Sequence, residues 1–267
     1  MDSSSPPSAP AAAAPPSPQI AGLQAGDPWR WLAAGWRDLR AAKGIALFYG
    51  ICFWLMAIVL GAVFRNSPEY ATSVLSGCFL VGPFLAMGLY EVSRRREQGL
   101  PQSLGASLLC WDKHLGSMGM LVLVVLLLEL LWGRASLVVF AVFFTTGMPS
   151  TASVLQAVFN PDNWEFVAIY ALVGGLFAGL VFSTCVVSIP MILDRGIDAV
   201  TAGIASFQVV FERTGTMLLW GALIVALVIG ALALPWSAGL LVVGPLLGHA
   251  SWHAYRASYA WRAAGPA

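Results

Sequence analysis

Residues 116–133 read GSMGMLVLVVLLLELLWG, an apolar run in which Glu129 is the one charged side chain. A helix needs about 20 mainly apolar residues to cross the hydrocarbon core of a bilayer, which is about 30 Å thick. Comparable stretches lie at 44–64, 70–90, 164–193, 214–234 and 236–256. The sequence therefore predicts an all-α membrane protein with six transmembrane helices.

The composition excludes most other classes of protein. Of the 267 residues, 58% are hydrophobic and 10% are charged, whereas soluble domains carry about 25% charged residues. The net charge of +1 does not indicate nucleic-acid binding. No nucleophile elbow, phosphate-binding loop or zinc-protease motif is present, so we expect no enzyme and no cofactor. An active site inside the membrane remains the open alternative.

The distribution of Lys and Arg predicts the orientation of the chain. One side of the membrane would carry residues 1–43, 91–115, 194–213 and 256–267, which hold twelve of the fourteen Lys and Arg residues. Only Arg65 and Arg134 would lie on the other side. Positive residues gather on the cytoplasmic side, so we expect a multi-pass protein of the cytoplasmic (inner) membrane with both termini in the cytoplasm.

The regions outside the spans divide the chain into three parts. Residues 1–26 are rich in Pro, Ala and Ser and predict a disordered tail. Residues 27–258 would form the six-span domain, and 259–267 a cytoplasmic C-terminal tail. Asp27-Pro28 predicts a helix start, and 29–43 mixes Trp with Arg, as in helices that lie among lipid headgroups. We expect contact with the bilayer and with anionic lipids, while protein partners stay unknown.

The apolar stretch 135–147 is too short for a span of its own. We expect it to extend the third helix or to lie at the outer surface of the membrane.

A weak internal repeat places an amphipathic interfacial helix before each of three hairpins. Spans one, three and five begin at Gly44, Gly116 and Gly215. A bulky apolar residue, a small residue and Ala precede each start by eight, nine and ten positions: Trp36, Leu108 and Phe207; Gly35, Ser107 and Ser206; Ala34, Ala106 and Ala205. Met118 and Met217 also coincide. Chance similarity between apolar segments is the alternative explanation.

The second helix of each predicted hairpin contains a proline. Pro83, Pro190 and Pro245 each remove one backbone hydrogen bond, so we expect a kink at each position. Kinked helices occur in transporters and also in inert bundles.

Glu129 and Arg134 are the candidates for intramembrane polar chemistry. An ionised carboxylate inside the hydrocarbon core costs about 2.5–3.5 kcal/mol, so Glu129 should be neutral, paired or beside a wet cavity. The functional alternative is a proton or cation site. The structural alternative, which we favour, is a pair with Arg134 near the outer boundary.

His249 and His253 are four residues apart and therefore share one face of the sixth helix. Two imidazoles in this arrangement can contribute to a metal or haem site. Further ligands are scarce, so we favour a belt of polar and aromatic residues near the cytoplasmic surface. The four cysteines show no metal or redox spacing.

Charged residues lie at the ends of the second and fourth predicted spans. Glu91 precedes three arginines, and Asp194 precedes Arg195. These positions suit stop-transfer charges that contact anionic lipids. A sharper hypothesis is a cytoplasmic ion-pair network in which they join Arg37 and Asp38.

Several strings resemble a bacterial family of integral membrane proteins, domain of unknown function 2189. They are Gly35-Trp36-Arg37-Asp38-Leu39, the segment from Val81-Gly82-Pro83 to Tyr90-Glu91, Ile189-Pro190-Met191 to Asp194-Arg195, and Gly244-Pro245 to His249-Ala250 followed by Trp252-His253. The resemblance covers roughly residues 27–258 and implies a multi-span bacterial membrane protein. It implies no particular activity.

Three functions therefore stay open from the sequence. The first is a transport or permease-like protein, and the second is a structural or assembly factor that binds lipids or other membrane proteins. The third is a haem- or metal-binding membrane protein that uses His249 and His253. The sequence favours the first two.

Overall fold

The computed structural model describes residues 18–66, 71–144 and 160–261. Its helices are α1 (Asp27–Ala41), α2 (Lys43–Asn66), α3 (Ala71–Glu97), α4 (Leu104–Leu108), α5 (Leu115–Phe143), α6 (Trp164–Cys185), α7 (Ser188–Arg195), α8 (Ala199–Glu212), α9 (Thr214–Ala233) and α10 (Leu240–Ser258). Two short strands are β1 (Pro18–Ile20) and β2 (Tyr259–Trp261). Single 3₁₀ turns occur at Asp112–His114, Pro161–Asn163 and Pro235–Ser237.

Within the described residues, four helical segments are long and apolar enough to cross a membrane. They are α2, α4 with α5, α6 with α7, and α9. Helices α3 and α10 cover the other two stretches predicted to span, but they carry more polar residues. The prediction of an all-α membrane fold is confirmed.

Helix α5 is longer than the span predicted from its apolar core. It contains 29 residues, which correspond to about 43 Å at 1.5 Å per residue. The apolar stretch predicted to extend this helix does so as far as Phe143, while residues 145–159 lie outside the described part of the chain.

Helix α10 lies against α1, α2, α3 and α9 and so forms the centre of the bundle. Small residues permit these close contacts. A Cβ atom at Gly35 of α1 would lie 2.7 Å from the backbone nitrogen of Ala250. One at Gly248 would collide with the side chain of Leu89 on α3. The glycines therefore set how closely α1 and α3 approach α10.

The chain between α6 and α7 is broken at Val186 and Val187. Pro190 is the third residue of α7, and its ring prevents the regular hydrogen bond that an uninterrupted helix would need there. The hydroxyl of Ser206 on α8 accepts a hydrogen bond of 3.1 Å from the backbone N–H of Val187. The break leaves the buried N–H of Val187 without a helical acceptor, and the Ser206 hydroxyl accepts its hydrogen bond instead.

The two ends of the described chain are paired. Strand β1 runs antiparallel to β2, with Gln19 opposite Ala260. Ile20 and Leu23 also pack against the main core. The prediction of disorder was therefore wrong for residues 18–26. The side chains of Ile20 and Leu23 pack against the core although the surrounding sequence is rich in Pro. Residues 1–17 lie outside the described structure.

Candidate functional site

Asp38 is the centre of a polar network at one end of the bundle. We call this end, where α3 carries Arg94, Arg95 and Arg96, the basic end. Asp38 projects from α1 and is only 5% exposed. One of its carboxylate oxygens lies 2.5 Å from a guanidinium nitrogen of Arg96, and the other lies 2.8 Å from Nε2 of His253. The carboxylate thus links α1 to both α3 and α10.

These contacts determine the ionisation of Asp38. Burial works to raise the pKa of its carboxyl group, but hydrogen bonds from His253 and Ser93 oppose this effect, and electrostatic interactions with His253 and His249 add to the opposition. The net result is a pKa below the ordinary value. Asp38 is therefore an anion at neutral pH.

Ser93 extends the network to His249, which is fully buried. The Ser93 hydroxyl lies 2.8 Å from Nδ1 of His249 and also bonds to Asp38. A hydroxyl has one proton, and a carboxylate can only accept. A hydrogen bond donated by Ser93 to Asp38 leaves the hydroxyl oxygen of Ser93 available to accept from Nδ1 of His249. Nε2 of His249 has no hydrogen-bond partner among the described residues.

The network continues along the surface from His253. Nδ1 of His253 lies 3.6 Å from Glu97, and Glu97 pairs with Arg256 at 3.2 Å. Arg256 also lies 3.7 Å from Asp194, whose carboxylate accepts a hydrogen bond of 2.8 Å from the Tyr255 hydroxyl. These pairs join the ends of α3, α7 and α10.

The predicted ion-pair network is present in part but with different partners. Asp38 pairs with Arg96 and His253 rather than Arg37, and Arg37 forms no ion pair with any described residue. Glu91 pairs with Arg94 on its own helix, and Asp194 lies 3.1 Å from Arg195. The hypothesis that Arg37 takes part in this network is wrong for the described residues, because its side chain lies on the exposed face of α1.

The two histidines proposed as metal or haem ligands have other partners. His249 bonds to Ser93, whereas His253 faces Asp38 and Glu97. In the described ranges, no three His, Cys, Asp or Glu side chains are grouped as a metal ion requires. His249 is buried in the core rather than part of a surface belt, so that expectation was wrong for this residue.

Sequence reasoning missed Ser93 and Glu97 as members of the network, and it did not distinguish Arg96 from the neighbouring arginines. Their spacing carried a signal, since residues 93, 96 and 97 share one face of a helix. The sequence therefore indicates that these three residues lie on one face of α3, but it does not indicate which helix packs against that face.

A second polar site lies beside Glu129, fourteen residues into α5 and about 21 Å along it. The Glu129 side chain is 6% exposed, and its Oε2 has no hydrogen-bond partner among the described residues. It lines a partly open cavity of about 700 Å³ between α5, α6 and α9. A buried carboxylate oxygen without a partner is costly, so this site is suited to a ligand that supplies a donor or a positive charge.

The walls of this cavity are otherwise apolar. Three aromatic residues contribute to it: Trp132, Phe177 and Phe182. The rings of Trp132 and Phe177 are 5.9 Å apart. Gly174 lies beneath Trp132, where a Cβ atom would come within 3.1 Å of the indole. Small residues on α6 and α9 thus leave the space that the aromatic rings border.

The favoured pair between Glu129 and Arg134 is not formed. Arg134 is exposed and has no ion pair with a described residue, while Glu129 is buried at the cavity. The five-residue spacing places the two side chains on different faces of α5. The structure therefore brings Glu129 to a cavity and leaves Arg134 outside it.

The three prolines differ in their local structure. Pro245 lies inside the continuous helix α10, and Pro190 follows the break between α6 and α7. Pro83 lies within α3. Neither Pro190 nor Pro245 lines the cavity beside Glu129.

Comparison with known proteins identifies a family but no characterised relative. The model of a family described as "Predicted integral membrane protein (DUF2189)" matches residues 71–194. This segment runs from the start of α3 to the end of α7 and contains Glu91, Glu129 and Asp194. No curated protein and no solved structure shows significant similarity to the chain. The resemblance to this family is therefore confirmed over residues 71–194, where the chain is similar to predicted integral membrane proteins.

Proposed function

We propose that this integral membrane protein is a permease-like carrier of lipophilic cations, with Glu129 as the group that binds their charge. The observation that carries the proposal is the buried, unpartnered Oε2 of Glu129 at a cavity of about 700 Å³. Small-molecule sites commonly have volumes of about 300–1,000 Å³ and mainly apolar walls.

The chemistry of the cavity favours a cation with an apolar body. Among the lining residues that the structure describes, Glu129 is the only ionisable one. An ionised carboxylate in hydrocarbon is unfavourable by itself, and a bound cation would offset its charge. Trp132, Phe177 and Phe182 add aromatic faces, which attract cations within about 6 Å of a ring centroid. A neutral apolar ligand would leave the carboxylate without a partner.

Binding of tetraphenylphosphonium tests this proposal. In equilibrium dialysis with the detergent-solubilised protein, we expect saturable binding of this cation. The variant Glu129→Gln should lose at least tenfold in affinity, since it keeps the size but not the charge. Glu165→Gln, at an exposed carboxylate outside the cavity, should bind as the wild type does.

Transport is tested separately from binding. Proteoliposomes with an acidic interior should accumulate labelled tetraphenylphosphonium faster than protein-free liposomes, if protons leave as the cation enters. Equal binding by wild type and Glu129→Gln would refute the site. Binding without accelerated uptake would refute the carrier.

We also propose that the chain crosses the inner membrane six times, as three hairpins. Helix α2 lies close to α4, the short helix that precedes α5, since the Tyr49 and Ser107 hydroxyls are 3.0 Å apart. A chain that leaves through α2 must return before α5 begins, and α3, with 27 residues, is long enough for the return. The bias of positive residues supports cytoplasmic termini.

The environments of equivalent residues support the threefold repeat. Gly35, Ser107 and Ser206 are all buried, and Met118 and Met217 are both fully buried. The bulky residues that follow these small residues in the repeat, Trp36, Leu108 and Phe207, are more exposed. Helices α1, α4 and α8 would then be the interfacial helices of the three units.

A further inference from the structure

We propose that a cleft at the basic end binds the phosphodiester group of an anionic phospholipid, with Arg37 as its main ligand. This inference is independent of the carrier proposal, because the cleft shares no residue with the cavity beside Glu129. The cleft lies between α1, the end of α3 and the end of α10, and has a volume of about 640 Å³. Its charged residues are Asp27, Arg30, Arg37, Glu97, His253 and Arg256.

The charges in the cleft leave one guanidinium group without a counterion. Arg30 pairs with Asp27 at 3.1 Å, and Arg256 pairs with Glu97 at 3.2 Å. His253 faces Asp38. Arg37 has no ion pair among the residues that the structure describes. With His253 counted as neutral, the three arginines of the cleft exceed its two carboxylates by one positive charge. A ligand with a single negative charge would balance it.

A guanidinium group is well suited to a phosphate. Its planar N–H groups can donate two parallel hydrogen bonds to two phosphate oxygens. Arg30 and Arg256 line the same cleft and add donors without adding uncompensated charge. A phosphodiester, which carries one negative charge, therefore matches the cleft better than a doubly charged phosphomonoester.

The surroundings of Arg37 indicate a lipid rather than a free phosphate. Trp29 and Trp36 of the same helix are 59% and 42% exposed. Exposed Trp side chains on membrane proteins favour the level of the lipid headgroups. Basic, Trp-bearing helices of this kind bind anionic membrane surfaces. A phosphate group of the bilayer would thus be at the height of the cleft.

Thermal unfolding of the full chain in a neutral detergent tests the proposal. Dioleoylphosphatidylglycerol in mixed micelles should raise the unfolding temperature by about 2–4 °C more than the same amount of dioleoylphosphatidylcholine. This difference should disappear in Arg37→Gln. It should persist in Arg40→Gln, because Arg40 is exposed on the same helix but does not line the cleft.

Two further measurements identify the ligand. Inorganic phosphate and glycerophosphoglycerol at the same phosphate concentration should give no comparable increase, and an equal increase would overturn the lipid assignment. An equal loss in Arg37→Gln and Arg40→Gln would indicate general surface charge and refute the site. Native mass spectrometry gives a readout that does not depend on unfolding, since wild type should retain one more phosphatidylglycerol than Arg37→Gln. Equal retention would also refute the site.

Discussion

Asp38 shows how one buried carboxylate can join three helices. It projects from α1 and contacts Arg96 on α3 and His253 on α10. Its charge is compensated by partners on both sides, and its pKa is lowered. Removal of the charge would leave Arg96 and His253 without their partner, and the penalty for a broken buried pair exceeds that for an exposed one.

The variant Asp38→Asn should therefore be less stable by about 2 kcal/mol, since it loses charged hydrogen bonds while its size is kept. A change of this size corresponds to about 4–8 °C in the unfolding temperature for a chain of this length. Thermal unfolding in detergent measures it. The matched control is Asp112→Asn at the same end of the bundle, where the side chain is exposed, and it should unfold as the wild type does.

The same carboxylate predicts the response of stability to acid. A group whose pKa is lower in the folded state stabilises the fold above its unfolded pKa, about 3.9 for Asp, and loses this effect as the pH falls through the folded value. The stability difference between wild type and Asp38→Asn should thus decrease as the pH falls below about 4. A difference that already decreased near pH 6 would contradict the lowered pKa.

The residues of this network could be predicted individually but not their pairing. Asp38, Glu91, Asp194 and Arg195 were recognised because charges that flank apolar stretches must lie near a membrane surface. The contacts of Asp38 reach across 58 residues to Arg96 and 215 residues to His253. Such pairs depend on how the helices pack, which local sequence does not specify.

At the scale of elements, the crossing of α1 over α10 depends on Gly35. A Cβ atom there would lie 2.7 Å from the backbone of Ala250, which cannot rotate away as a side chain can. Gly35→Ala should force the helices apart and lower stability by about 1–3 kcal/mol. Thermal unfolding in detergent would reveal the loss.

Gly203 in α8 provides the comparison for this substitution. An added Cβ would meet no atom within 4 Å, and Ala is a better helix former than Gly by about 0.8–1.0 kcal/mol. Gly203→Ala should therefore match or exceed the wild type in stability. If Gly35→Ala behaved in the same way, the close crossing would not limit the approach of α1.

The helices themselves were largely predictable, because hydrocarbon requires long apolar runs with internally satisfied backbones. Their interruptions were harder to predict. Pro190 indicated a kink, but the break at Val186 and Val187 also depends on Ser206 from another helix. The β1–β2 pair was missed because its strands have three residues each, too few for a recognisable alternation.

At the scale of the whole molecule, the strand pair constrains the topology. Pro18 lies opposite Trp261 although the two are separated by almost the entire membrane domain. Backbone hydrogen bonds in a strand pair require both segments to be at the same level. Tyr259 fixes this position further, since its hydroxyl donates a hydrogen bond of 2.9 Å to the carbonyl oxygen of Ala205 on α8. Both ends should then lie on one side of the membrane, which requires an even number of crossings.

Reporter fusions in a bacterial host test this arrangement. Green fluorescent protein fused to either end should fluoresce, because that reporter matures in the cytoplasm, and alkaline phosphatase fused at these ends should be inactive. Alkaline phosphatase inserted after Asn66, at the end of α2, should be active because α2 would have carried it across. Inserted after Gln98, just beyond α3, it should be inactive again if α3 returns the chain. Alkaline phosphatase activity at both internal positions would mean that α3 does not cross the membrane. Chain ends in opposite compartments would contradict both the strand pair and the bias of positive residues.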